Sequence, residues 1–214
     1  MRMSRWLTLL ASVAISACSG FKASGGSTVT YQLRAAPTAS STEAASGPSN
    51  LKAFALQVQH MAAAPGLASE RIALSQPGNR LDYYAASSWS APVPELLAAM
   101  LRDSLRGIGA LTAVHDDAAP FAADYFLRCN VLRFDADYAG DAEAAPTATV
   151  EVECMVGARS DRRLIANFVA GGAERATDNR MGAVVRAFET ATRAALAKLT
   201  EQTLASLSAE VAAN

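Results

Sequence analysis

The sequence predicts an α+β fold, a mostly antiparallel sheet with two helices packed on one face of a single domain. Two neighbouring stretches alternate like long strands, and two further stretches carry an apolar stripe at helical spacing. Strand segments precede, separate and follow the helices without a βαβ rhythm, which argues against a wholly parallel sheet. Of the 214 residues 51% are hydrophobic, but 48 of them are alanine. The larger apolar residues left, roughly 29%, suffice for one packed core and are too few for a multispan membrane protein.

In chain order, Val29 to Leu33 reads as a short strand, and residues 34–50 (RAAPTASSTEAASGPSN) as a polar, small-residue loop expected to be mobile. Leu51 to Val58 and Arg71 to Ser75 read as strands, punctuated by Pro65-Gly66 and Pro77-Gly78, and Arg80 to Tyr84 as a short extended piece. Pro92 to Arg106 reads as a helix with prolines in its first turn, Glu95 near its positive end and Gly107 and Gly109 at its stop. Leu97, Met100, Leu101, Leu105 and Ile108 share one face of it.

Asp124 to Asp135 and Thr147 to Ala158 are the two long strands; in the second, Val150, Val152, Cys154 and Val156 alternate with Thr149, Glu151 and Glu153. The Tyr138 to Pro146 stretch between them is turn-like, and Arg163 to Ala170 reads as one more strand. A final helix is expected from about Asp178, as N-cap, to Leu207, with Met181, Val184, Val185, Phe188, Ala195, Leu196 and Leu199 as its stripe. Its distal end, Leu204 to Val211, is expected either to project toward a partner or to fray, with residues 209–214 frayed.

The N-terminus carries the strongest functional signal. Arg2 and Arg5 precede an apolar run from Trp6 to Ala17. A helix of that length reaches about 18 Å, short of a hydrocarbon core of about 30 Å, so it is read as a signal-peptide core rather than a span. The run ends in Ile15-Ser16-Ala17-Cys18, the form of a bacterial lipobox. Residues 1–17 are therefore expected to be a lipoprotein signal peptide, cleaved between Ala17 and Cys18. Cys18 would carry diacylglyceryl and N-acyl chains, palmitate among them, and several long chains anchor a protein where one does not. Ser19 stands where an aspartate would retain a Gram-negative lipoprotein at the inner membrane, which points to the outer membrane, periplasmic face. Residues 18–27 form the acylated tether, and residues 28–208 the folded domain. The mature chain has 17 basic and 20 acidic residues, a balance without the basic stripe of a nucleic-acid binder.

Two cysteines remain, Cys129 and Cys154. If the two long strands form a symmetric hairpin about Asp141 and Ala142, opposed residues have numbers that sum to 283, and the two cysteines satisfy this. Opposed residues share a face at a Cα separation a disulfide tolerates. The alternative is two buried thiols, and a slip of one residue would put them on opposite faces.

Catalytic chemistry is not evident. His60 and His115 lie far apart in sequence in loop-like segments, so no metal site is expected. No nucleophile elbow, phosphate loop or acid–base pair stands out, and no cofactor is expected beyond the lipid on Cys18. Asp135, Asp137, Asp141 and Glu143 faintly resemble a calcium loop, yet Ala139 and Pro146 occupy expected ligand positions. Trp89, before the proline-rich helix start, is read as a packing anchor or, alternatively, as an exposed docking residue. Met61 and Leu67, in an uncharged apolar loop, are likewise either tucked onto the domain or candidate partner contacts.

Several segments resemble one family in order: Arg71-Ile-Ala-Leu-Ser, Pro77-Gly-Asn-Arg-Leu-Asp-Tyr-Tyr84, Trp89-Ser-Ala-Pro-Val-Pro-Glu-Leu-Leu97, and Ala123-Asp-Tyr-Phe-Leu-Arg128 with Arg133-Phe134. This pattern is similar to the ABC-type transport auxiliary lipoproteins, which include the paraquat-inducible C-type lipoprotein. It spans about residues 28 to 205, and the segment from Asp82 to Pro94 is its most specific part. Val93 and the long 34–50 loop depart from it. The resemblance implies a non-catalytic, outer-membrane lipoprotein that works in several copies with an MCE-domain protein, an ABC permease and an ATPase in phospholipid traffic. The competing expectation is an envelope-assembly or secretion lipoprotein with a similar small domain.

Overall fold

The computed structural model describes residues 27–34, 49–78 and 80–213. The signal peptide, Cys18 and most of the expected 34–50 loop lie outside the described residues. The described residues form nine strands and two α-helices: β1 (Val29–Tyr31), β2 (Ala55–Val58), β3 (Ala62–Ala63), β4 (Arg71–Gln76), β5 (Arg80–Trp89), α1 (Val93–Ile108), β6 (Ala113–Asp116), β7 (Tyr125–Asp137), β8 (Thr147–Ala158), β9 (Leu164–Arg175) and α2 (Met181–Ala213).

β7 is the spine of one open sheet. One of its edges pairs antiparallel with β8 over nearly its whole length, and β8 pairs in turn with β9. The other edge is shared by three short strands in chain order: β2 beside Tyr125 to Leu127, β3 beside Asn130 and Val131, and β4 beside Asp135 to Asp137. These three run parallel to β7, as β6 does to β2 and β1 to β5. Each parallel pairing spans only two to four residues, so the sheet is mixed but mostly antiparallel. Both helices pack on one face, as the α+β reading expects.

Alternation along β8 puts Ala148, Val150, Val152, Cys154 and Val156 under the helices, each at most 1% exposed. α2 covers them with Val184, Phe188, Ala191, Ala195 and Leu199, and α1 adds Leu97, Leu101 and Leu105, all nearly inaccessible. At about 25 cal/mol per Å² of apolar area removed from water, this core is the dominant favourable contribution to folding. α2 approaches β9 closely because Gly172 has no side chain: a Cβ there would lie 2.2 Å from the Ala191 carbonyl oxygen. α1 ends as the sequence predicts, with Gly109 at φ +65° donating its N–H to the Arg106 carbonyl.

Several boundaries differ from the sequence reading. α2 starts at Met181, and the Arg180 carbonyl accepts the Val184 N–H, so Asp178 stands two residues short of the cap position. Its far end neither projects nor frays. Leu204 and Leu207 are buried, Asn50 bonds Ser208, and Arg163 bonds the Glu210 carboxylate, so the helix runs on through residues 209–213. β5 continues to Trp89 and β9 to Arg175, well past the expected ends. Leu51 belongs to a 3-10 turn (Ser49–Leu51) and not to β2. β3 and β6 were not expected at all, being too short to show a period.

Candidate functional site

The segment carrying the family resemblance lies on β5 and the start of α1, and each of its aromatic residues has a structural task. The Asp82 carboxylate accepts the Tyr83 N–H at 2.9 Å. Tyr83 donates its hydroxyl to the Gly66 carbonyl at 2.9 Å, and the Arg71 guanidinium carbon lies 3.4 Å from the centre of its ring. The Tyr84 and Tyr138 hydroxyls are 2.9 Å apart, Tyr138 donates to Asn179 at 2.8 Å, and Asn179 donates to the Ala142 carbonyl at 3.1 Å. This chain ties β5 and the turn before α2 to the β7–β8 hairpin. Burial, then the bond to Tyr138, pushes the Tyr84 phenol above its ordinary proton affinity.

Trp89 is fully buried. Its ring meets Phe134 edge-on at 5.7 Å and Phe188 at 5.3 Å, while Phe134 and Phe188 stack at 4.9 Å. The residue thus joins β5, β7 and α2, which removes it from the candidate docking surface. Met61 and Leu67 are 2% and 6% exposed and belong to the same core, so they too are packing residues here and not surface contacts. Their loop folds inward because Gly66, at φ +88°, lets the chain turn against Leu81, where a Cβ would lie 2.5 Å from a leucine methyl.

Above this turn lies a groove of about 660 Å³ between the Pro65 turn, the Pro77-Gly78 turn and the end of β7. Its walls are apolar, with Leu81 40% exposed and Leu132 half-buried, and its floor is Ser75, Arg133, Asp135 and Asp137. The floor is internally satisfied. Arg133 donates to Asp135 at 3.2 and 3.0 Å and to Asp137 at 3.3 Å, and Ser75 donates to Asp135. Those hydrogen bonds, Asp135 first, hold the guanidinium proton more tightly than usual. The carboxylates of the faint calcium pattern are spent in the same way: Asp137 also accepts the Ala139 N–H and Asp141 the Glu143 N–H.

His115 is in β6 and not in a loop, and β6 lies beside β2, so the two histidines belong to neighbouring strand ends. His60 is exposed, while His115 is buried with Nδ1 3.0 Å from the Asp116 carbonyl oxygen. Among the described residues no group of three or more His, Cys, Asp or Glu side chains could hold a metal ion. Cys129 and Cys154 face each other across β7 and β8 at a Cα separation of 4.1 Å, and their sulfurs are bonded. Among the described residues no helix is long and apolar enough to cross a membrane.

No curated protein matches the chain. A solved structure of protein XCC0632 from Xanthomonas campestris is 26% identical, with a TM-score of 0.72 over 85% of this chain and 98% of that one. A second solved structure, of an uncharacterized protein, shares the fold at 16% identity, with a TM-score of 0.56 over 86% and 99% of the two chains. The family described as the ABC-type transport auxiliary lipoprotein component matches residues 31–212, nearly all of the domain. With the tyrosine chain and the buried tryptophan explaining the residues that carry the likeness, the chain belongs to the ABC-type transport auxiliary lipoprotein family.

Proposed function

We propose that this protein is an outer-membrane lipoprotein, anchored through acylated Cys18 and facing the periplasm, that serves as a non-catalytic subunit of an MCE/ABC-type system moving phospholipid between membranes. The observation that carries this reading is the family match over residues 31–212. The lipobox ending at Cys18 and a disulfide suited to an oxidising compartment support it. In this role the ATPase supplies the energy, and the present chain supplies attachment, in several copies against an MCE-domain protein. Its motif residues are spent on holding the fold and none is placed as an acid, base or nucleophile, which suits a part defined by contacts.

The test is purification of the acylated protein from crosslinked cells, with identification of the proteins and lipids that accompany it. An MCE-domain protein and an ABC permease should co-purify with it. Their consistent absence would overturn the transport reading. In parallel, Cys18→Ser should release the protein from the outer-membrane fraction, and retention there would overturn the anchor.

A further inference from the structure

β9 is twelve residues long and pairs only with β8, so its second edge is a strand edge without a strand beside it. The ladder fixes which groups point outward. The Ala176 N–H bonds the Pro146 carbonyl, so even-numbered residues at this end of β9 turn their backbone groups toward β8. The alternation of an antiparallel ladder then aims the N–H and C=O of Asn167, Val169, Gly171, Ala173 and Arg175 away from the sheet. The cysteine pair agrees with this phase. Residue 154 must turn its backbone toward β9, which makes Cys129–Cys154 a non-hydrogen-bonded pair of the β7–β8 ladder, and its 4.1 Å Cα separation is of the short kind such pairs have.

Edges of this length are ordinarily blunted by lysine, proline or a bulge. β9 has no lysine or proline, its register shift lies at the Leu164 end, and Leu164 and Val169 are 56% and 49% exposed. One outward group does have a partner: the Lys198 ammonium, reaching down from α2, donates to the Gly171 carbonyl at 2.9 Å.

We propose that the β9 edge is a strand-addition site for an extended segment of a different protein, one with an acidic side chain on the helix side near Gly171. Backbone donors and acceptors in a row are matched by another strand, which supplies the same spacing in reverse. The charge selects among strands. A strand lying along Val169 to Ala173 takes the Gly171 carbonyl from Lys198, and the displaced ammonium needs a carboxylate. A second copy paired edge to edge about Gly171 would instead bring two Lys198 ammoniums to its two-fold axis, with no carboxylate on β9 between residues 164 and 173 to receive them. The inference stands independently of the Cys18 anchor and of any MCE partner.

The test places a photoreactive benzophenone side chain at Val169 of the full-length protein in its native envelope, with the same group at exposed Asp103 of α1 as reference, and maps adducts by mass spectrometry. A different protein should be captured at Val169 through an extended segment containing Asp or Glu. Ala173→Pro, which removes an outward N–H not used by the fold, should lower that adduct about fivefold to tenfold. Lys198→Glu should lower it similarly, whereas Ala173→Ser and Lys198→Arg should retain it. An unchanged denaturation midpoint for Ala173→Pro would show that the loss does not come from unfolding. Attachment only to a second copy, attachment only to residues 35–48 of the same chain, an adduct indifferent to Ala173→Pro, or no adduct in the folded protein would each overturn the proposal.

Discussion

The Tyr84 hydroxyl lies 2.9 Å from that of Tyr138, and this contact joins the most family-specific stretch of β5 to the turn of the β7–β8 hairpin. Tyr84→Phe should cost about 1 kcal/mol at neutral pH, the worth of one hydrogen bond, because Tyr138 keeps its bond to Asn179.

The same contact should show in alkali. Burial raises the Tyr84 proton affinity in the folded state above the ordinary value of 10.0. As pH rises past that value the unfolded chain loses this proton first, so stability present below it declines. The slope is at most about 1.4 kcal/mol per pH unit, and less for a ring that solvent partly reaches. Urea denaturation at pH 9 and pH 11 should show a smaller loss for Tyr84→Phe than for the natural protein, and equal losses would refute the assignment.

The disulfide should matter for stability and resist reduction. It closes a loop between positions 25 apart, which the chain-entropy model values at roughly 3 kcal/mol. Both residues are nearly inaccessible, at 2% and 0% exposed. Mild reductant should therefore leave the folded protein oxidised, while the Cys129→Ala/Cys154→Ala double variant should unfold at a clearly lower urea concentration. Two free thiols in unfolded, unreduced protein from the periplasm would contradict the bond.

The cysteine pairing also shows what the sequence could and could not reveal. Alternation in Thr147 to Ala158 gave that strand its limits, and a symmetric hairpin put the cysteines opposite each other. The structure reaches the same pairing by a different route. Near the turn, Arg133 faces Glu151 and Asp137 faces Thr147, one residue out of the assumed register, and the extra residue Leu132 at a bulge restores it from Val131 onward. Helix α1 was legible because its stripe and its stop signals agree. The parallel pairings of β2, β3 and β4 along β7 were not, since partner choice between distant short strands leaves no local period. Asp178 misled because a capping residue type is common in any turn, and the tight end of α2 was hidden because Arg163 and Asn50 meet it only in three dimensions. The edge of β9 could not be seen either: its exposure follows from the pairing order, although the missing lysine and proline were there to read.

Two glycines should respond oppositely to one substitution. At Gly172 a Cβ would press on the Ala191 carbonyl oxygen at 2.2 Å and the Ala194 Cβ at 2.9 Å, so Gly172→Ala must push α2 off β9. The expected loss is about 1–3 kcal/mol, the usual cost of overpacking. At Gly107, inside α1, nothing lies within 4 Å of the added Cβ, and Gly107→Ala should stabilise by about 0.5–1 kcal/mol through helix propensity. Thermal melts of the two variants should move in opposite directions, and a common direction would contradict the packing described for α2.

The last turns of α2 should depend on a residue from the other side of the sheet. Arg163, just before β9, donates to both Glu210 carboxylate oxygens and to Asp161 at 3.2 Å, and these bonds, Glu210 first, hold its proton above the ordinary arginine range. The ion pair is partly solvated, so its loss should leave global stability nearly unchanged while loosening what it ties down. In Arg163→Ala, amide hydrogen exchange should accelerate at Ser208 to Ala213 and stay unchanged near Ala191, which the core holds. High salt should reproduce part of the effect in the natural protein, since screening acts on the same pair. Uniform acceleration along α2 would mean that Arg163 supports the whole helix, and no acceleration at all would mean that Leu207 and the Asn50 contact suffice to hold its end.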